Sequence, residues 1–138
     1  MNLNVKIQLK ELFSNRISFD KTERKLYGHD IAAMPGIIKP FIGSTVPEVV
    51  VQPETEEELV SLVKWAAKHK VALTPRGEAT SGYGGVLPLA KGVVVDFHRM
   101  KNLIKLNLSD NTATAQAGMI WEKLDRELGK KGLTLRLL

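Results

Sequence analysis

Between Thr74 and Gly85 the chain reads Thr-Pro-Arg-Gly-Glu-Ala-Thr-Ser-Gly-Tyr-Gly-Gly, and four of its 11 glycines (Gly77, Gly82, Gly84, Gly85) fall in this stretch. Glycine adopts positive φ without steric cost and lets another molecule approach the backbone. Successive N–H groups in such a turn converge into a concave anion site. Thr80 and Ser81 add hydroxyl donors, and Arg76 offers a charged fork suited to phosphate oxygens. The chemistry indicated is anion or phosphate binding. The same composition also makes a plain surface loop, so the surrounding elements must decide.

Two common phosphate loops are excluded by residues. Gly77 and Gly82 have the spacing of a P-loop, but Tyr83 stands where its lysine must be. A dinucleotide fingerprint needs glycines that open a helix, whose N-terminus takes the pyrophosphate. The next apolar run here is Val93-Val94-Val95-Asp96-Phe97, a strand pattern, with no amphipathic stretch before it. A glycine loop between two strands must bind an anion with its own N–H groups and hydroxyls.

The elements that position this loop are legible on both sides. Val49-Val50-Val51 reads as a buried strand closed by Pro53. A helix follows. Thr55 and Glu58 form a capping box, acids open it, and Lys68, His69 and Lys70 close it. Its core face is predicted to be Leu59, Leu62, Val63, Ala66 and Ala67, with Trp65 off that face. Val71 to Thr74 reads as the strand that delivers the chain into the loop. Strand, helix, strand implies parallel pairing with a right-handed crossover.

Upstream, Asn2 to Ser14 places Val5, Leu9, Leu12 and Phe13 on one helical face. Ile17 and Phe19 anchor an extended piece, Asp20 to Tyr27 is a short capped helix, and Gly28 to Pro47 reads as an irregular wrap. Downstream, Leu103–Leu108 and Thr112–Ala117 alternate around Ser109-Asp110-Asn111 and predict an antiparallel hairpin. A helix is expected from Met119 to about Lys131, with Ile120, Trp121, Leu124 and Leu128 inward. Glu122–Arg126 and Glu127–Lys131 pair along it, and Gly132 stands at C′. Leu133 to Leu138 reads as the start of a further strand, so the chain looks like part of a longer domain.

Bulk properties narrow the classes. With 138 residues, 43% of them apolar, the chain can bury a core of domain size. It has no cysteine, which removes disulfides, thiolate metal sites and a cysteine nucleophile. The net charge of +5 comes from scattered basic residues and only 6% of residues are aromatic, so nucleic acid is not the expected partner. There is no signal-peptide core and no apolar run near the roughly 20 residues that span a bilayer. A soluble, cytoplasmic protein is expected.

Pro-Arg-Gly-Glu-Ala-Thr-Ser-Gly-Tyr-Gly-Gly resembles the pyrophosphate loop of the FAD-linked oxidases of the vanillyl-alcohol-oxidase, PCMH-type family, nearest its glycolate oxidase and D-lactate dehydrogenase branch. Other landmarks follow in order. Val49 to Glu58 resembles the family's first strand and capped helix, and Gly92 to Met100 its strand after the loop. Ala117-Gly118-Met119-Ile120-Trp121 resembles its AG-x-x-W turn.

The resemblance implies an α+β, PCMH-type fold. Residues 1–48 would be a helix and wrap, 49–102 a first FAD-binding subdomain, and 103–138 an incomplete second one. It implies noncovalent FAD, since no cysteine is present and no histidine lies in the loop. The N–H groups of Gly77, Glu78, Ala79, Thr80 and Ser81, with those near Gly82, Gly84 and Gly85, would hold the pyrophosphate. Gly118 would let the chain pass close to the cofactor. Arg76 has two sets of candidate partners, phosphate or the carboxylates of Glu78 and Asp96. Glu78 departs from the small or neutral residue of the family and should point outward or pair with a cation.

No catalytic role falls on His29, His69 or His98, and no metal site is expected. The function implied is FAD binding within an oxidoreductase acting on a 2-hydroxy acid such as glycolate or D-lactate, with this chain inactive alone. The alternative is a non-catalytic module that docks on a partner subunit, or on itself through the apolar C-terminal strand edge.

Overall fold

The computed structural model describes residues 1–31, 37 and 39–136. The central element is a four-stranded sheet of β1 (Ile17–Ser18), β2 (Val49–Val51), β3 (Leu73–Arg76) and β4 (Val93–Asp96), in the order β1-β2-β4-β3. Strands β2 and β3 both run parallel to β4, and β1 is antiparallel to β2. The parallel geometry is as expected, but β2 and β3 are not neighbours, because β4 lies between them. Burial explains the composition of the two inner strands. Every residue of β2 and β4 is buried, which favours unbroken β-branched runs over alternation. Pro75 cannot donate to a ladder, and β3 tolerates it as an edge strand.

Two helices cover one face of this sheet. Helix α1 (Leu3–Phe13) and α4 (Glu56–His69) bring Leu9, Phe13, Leu62, Trp65 and Ala66 onto Val49, Val51, Val93 and Val95. Trp65 is therefore a core residue, contrary to expectation, while Val63 is 49% exposed. Ala67 is exposed as well. The apolar face is turned by about one residue toward α1, because α4 must pack against α1 as well as the sheet.

Helix α4 starts as its residues dictate, with the Thr55 hydroxyl accepting the Glu58 N–H. It ends with Lys70 in the left-handed region, Val71 N–H on Ala66 O and Lys70 N–H on Ala67 O, a Schellman arrangement. Val71 is taken by that cap, so β3 begins two residues later than expected and carries Arg76 at its end.

The N-terminal region adds α2 (Lys21–Leu26), capped by Asp20 through the Glu23 N–H, and a single helical turn α3 (Lys39–Ile42) within the expected irregular wrap. Pro35 and Gly36 of that wrap lie outside the described residues. After β4, Phe97–Arg99 form a 3₁₀ turn, so the strand ends one residue early. Strands β5 (Leu103–Asn107) and β6 (Thr112–Ala115) make the antiparallel hairpin.

Helix α5 (Trp121–Gly129) buries Leu124 and Leu128, but Trp121 opens the helix and is 65% exposed. Arg126 pairs with Glu122 as expected, whereas Glu127 pairs with Lys130 rather than Lys131. Gly132 has φ +72, with Leu133 N–H on Leu128 O and Gly132 N–H on Gly129 O, the C′ geometry its position predicts. Beyond it, Leu133 to Arg136 are not a strand. Asp125 accepts the Leu135 N–H and the Thr134 hydroxyl and folds the segment back on α5. Leu137 and Leu138, the rest of that expected strand, lie outside the described residues. Among the described residues no helix is long and apolar enough to cross a membrane.

Candidate functional site

The parallel strands β2, β3 and β4 all end at one edge of the sheet, and the glycine loop leaves from there. In open α/β sheets this carboxyl edge is where ligands bind. Among the described residues, no backbone N–H from Gly77 to Tyr83 finds an acceptor. Ala79, with φ +54 and only 8% exposed, turns this run inward. Successive amides around a left-handed residue form an anion nest.

The left-handed positions of the loop belong to Ala79 and Gly84 (φ +79), not to Gly77 or Gly85. Those two glycines serve another purpose, since a Cβ on either would meet nothing within 4 Å. Their backbones stay open to an approaching group. Glu78, Thr80, Ser81 and Gly82 are exposed, and Glu78 makes no ion pair among the described residues.

Two expected site residues turn toward the protein itself. Arg76 binds neither Glu78 nor Asp96. Its Nη1 donates to His29 O at 2.9 Å and to Tyr27 O at 3.4 Å, and its guanidinium lies 5.2 Å from the Tyr27 ring centre. Gly118 meets the backbone of the 3₁₀ turn. A Cβ there would lie 1.8 Å from Phe97 O, and the Gly118 N–H donates to Met100 O. The glycine is required by that chain crossing.

Sequence reading named Asp96 only as a candidate partner of Arg76 and did not identify it as the buried carboxylate that closes β4. Asp96, 5% exposed, accepts the Tyr27 hydroxyl at 2.7 Å and Gln52 Nε2 at 3.1 Å. The His98 N–H donates to its other oxygen, and His98 Nδ1 lies 3.1 Å from Oδ2. Burial, then the bond to Asp96, pushes the Tyr27 phenol up to about 12. The available signal was an acid closing an otherwise apolar inner strand, since a charge there needs partners. Gly84 N–H donates to Asp30 Oδ2 at 2.8 Å, a carboxylate already seated on one amide of the loop. Among the described residues no cluster of His, Cys, Asp or Glu could hold a metal.

A parallel sheet flanked by helices and followed by an antiparallel hairpin and helix is the mixed α+β architecture of PCMH-type FAD-binding domains. The FAD binding domain family matches residues 47–138, and the chain belongs to it. Over 126 residues the chain is 30% identical to the mitochondrial D-lactate dehydrogenase [cytochrome] of Arabidopsis thaliana, covering 91% of this chain and 21% of that protein. Over 89 residues it is 30% identical to glycolate oxidase subunit GlcD of Bacillus subtilis, covering 64% of this chain and 19% of the relative. A solved alkyldihydroxyacetonephosphate synthase superposes with TM-score 0.83 at 25% identity, over 98% of this chain and 28% of its own. The chain thus spans about a fifth of the length of the curated relatives it matches.

FAD is the cofactor of this family, and the loop fits its diphosphate: free amides from Gly77 to Tyr83, the Thr80 and Ser81 hydroxyls beside them, and open space over Gly77 and Gly85.

Proposed function

We propose that this chain holds the diphosphate of noncovalently bound FAD for a flavin-dependent oxidoreductase acting on a 2-hydroxy acid, the class that includes glycolate and D-lactate. The observation that carries the reading is the unpartnered amide run from Gly77 to Tyr83 at the carboxyl edge of the sheet. The chain's contribution is binding: amides and the two hydroxyls take the anion, and open backbone at Gly77 and Gly85 admits it. Glu78 stays in solvent. When bound, the flavin supplies hydride acceptance from the substrate. No residue of this chain is assigned to the reacting atoms. The substrate class is supported by the likeness to D-lactate dehydrogenase and the glycolate oxidase subunit.

Calorimetric titration with FAD and with ADP tests the cofactor half. Saturable binding is expected, lost in Gly77→Val/Thr80→Val, while no saturable binding of either at millimolar ligand would sink the reading. The substrate half is tested on flavin-loaded protein from its native host under anaerobic conditions. D-lactate or glycolate should bleach the flavin band, and failure of both removes this substrate class.

A further inference from the structure

Residues 27–30, which precede the family match at 47–138, contact the site at three separate points. The Tyr27 hydroxyl donates to Asp96 at the end of β4. The carbonyls of Tyr27 and His29 accept from Arg76 at the end of β3. The Asp30 carboxylate accepts the Gly84 N–H at the far side of the loop. The same four residues therefore hold the strand that enters the glycine loop, the strand that follows it, and the loop itself. Space is tight along this strap: a Cβ on Gly28 would lie 3.1 Å from Thr45 O.

We propose that Tyr27–Asp30 is a strap that sets the geometry of the diphosphate loop, with Asp30 and Arg76 as its positioning residues. The inference rests on the loop being the diphosphate site. Its physical content is preorganisation. A glycine-rich loop loses more conformational freedom than any other on ordering, and that cost weakens ligand binding unless the free protein has already met it. Clamping the loop before its first residue, at Arg76, and again at Gly84 leaves only the amides between them to adjust. Arg76 therefore acts through the strap and not on phosphate. Its Nη1 reaches both carbonyls while Cζ lies over the Tyr27 ring, an arrangement suited to the guanidinium fork and not to the single point charge of lysine.

The test compares the wild type with Asp30→Ala, Asp30→Asn and Arg76→Lys, by NMR order parameters of the backbone amides of residues 77–86 without ligand and by calorimetric ADP affinity. In Asp30→Ala, the loop order parameters should fall and ADP should bind about tenfold more weakly, the scale of one charge-assisted hydrogen bond. Asp30→Asn keeps an acceptor oxygen and should recover most of both losses. Arg76→Lys should resemble Asp30→Ala. Unchanged order parameters in Asp30→Ala overturn the strap, whether or not ADP binds. Tighter ADP binding by Asp30→Asn than by wild type also overturns it, because the carboxylate would then be opposing the diphosphate. A wild type that binds no ADP, yet whose loop loses order in Asp30→Ala, supports the strap and defeats the cofactor reading instead.

Discussion

A Cβ built on Gly118 would lie 1.8 Å from Phe97 O and 2.6 Å from its carbon, whereas one on Gly77 meets nothing within 4 Å. The two glycines stood together as candidate cofactor contacts in the sequence, and the packing separates them. Gly118→Ala forces a backbone shift at the chain crossing and should cost about 3 kcal/mol, read from thermal or denaturant melts. Gly77→Ala should stay within about 0.5 kcal/mol of wild type in the same melts and show its effect in ADP affinity alone. Equal losses of stability in both would refute the distinction. Residue type revealed the loop because glycine, threonine and serine act locally. It did not reveal Tyr27 and His29 as partners of Arg76, nor Tyr27 and Gln52 as partners of Asp96, all of them more than 40 positions away along the chain.

Tyr27 gives that buried site a titration of its own. Its phenol is raised from 10.0 to about 12, so the fold favours the neutral form. The stability it contributes is complete below pH 10 and is lost as pH rises from 10 toward 12. In a Tyr83→Phe background, tyrosinate absorbance should show a midpoint near 12; a midpoint near 10 would mean the phenol is not held against Asp96.

At the level of elements, α4 shows why the sequence was readable and where it was not. Its start is local chemistry, and Thr55→Ala should cost about 1 kcal/mol in melts by removing the cap. Its end is local too, but the Schellman cap at Lys70 uses Val71, which the apolar pattern had assigned to β3. Periodicity could not tell a capping apolar residue from a strand residue. The face of α4 was misread at Trp65 for a non-local reason, since α1 supplies the second wall of its groove.

The Glu58 carboxylate, besides serving the start of α4, reaches another element. Arg16, just before β1, holds it through a two-pronged ion pair and lowers it from 4.5 to about 2, with burial opposing and the Glu54 N–H assisting. A depressed carboxylate stabilises the fold fully above pH 4.5, and that contribution is lost as pH falls from 4.5 toward 2. Allowing for solvent screening, the loss should be about 1–2 kcal/mol. Arg16→Met should flatten this acid limb of stability against pH, and an unchanged limb would show that the pair contributes nothing.

For the whole molecule, the order β1-β2-β4-β3 is the feature no stretch of sequence displays. Strand identity is local, but which strand lies in the middle depends on the crossover after α4 and on the return of the glycine loop. The outcome sets a gradient of stability. Strand β4 is paired on both sides. Val93 and Val95, 0% and 2% exposed, lie beneath α1 and α4, and Val94, on the opposite face, is 0% exposed as well. Among the described residues the hairpin β5–β6 is paired only with itself, with Ile104 63% exposed and most of β6 in solvent, and α5 buries Leu124 and Leu128. An isolated two-stranded hairpin is marginal in water, and burial governs how much free energy an opening requires. Amides of β4 should therefore exchange only through global unfolding, while those of β5 and β6 open locally and exchange at least about tenfold faster relative to their intrinsic rates. Native-state hydrogen exchange over a denaturant series checks this. Separate isotherms that converge only near the unfolding transition are expected. A single shared isotherm would show instead that the hairpin, α5 and the parallel sheet unfold as one cooperative unit, with the contact of Gly118 on Phe97–Met100 strong enough to join them.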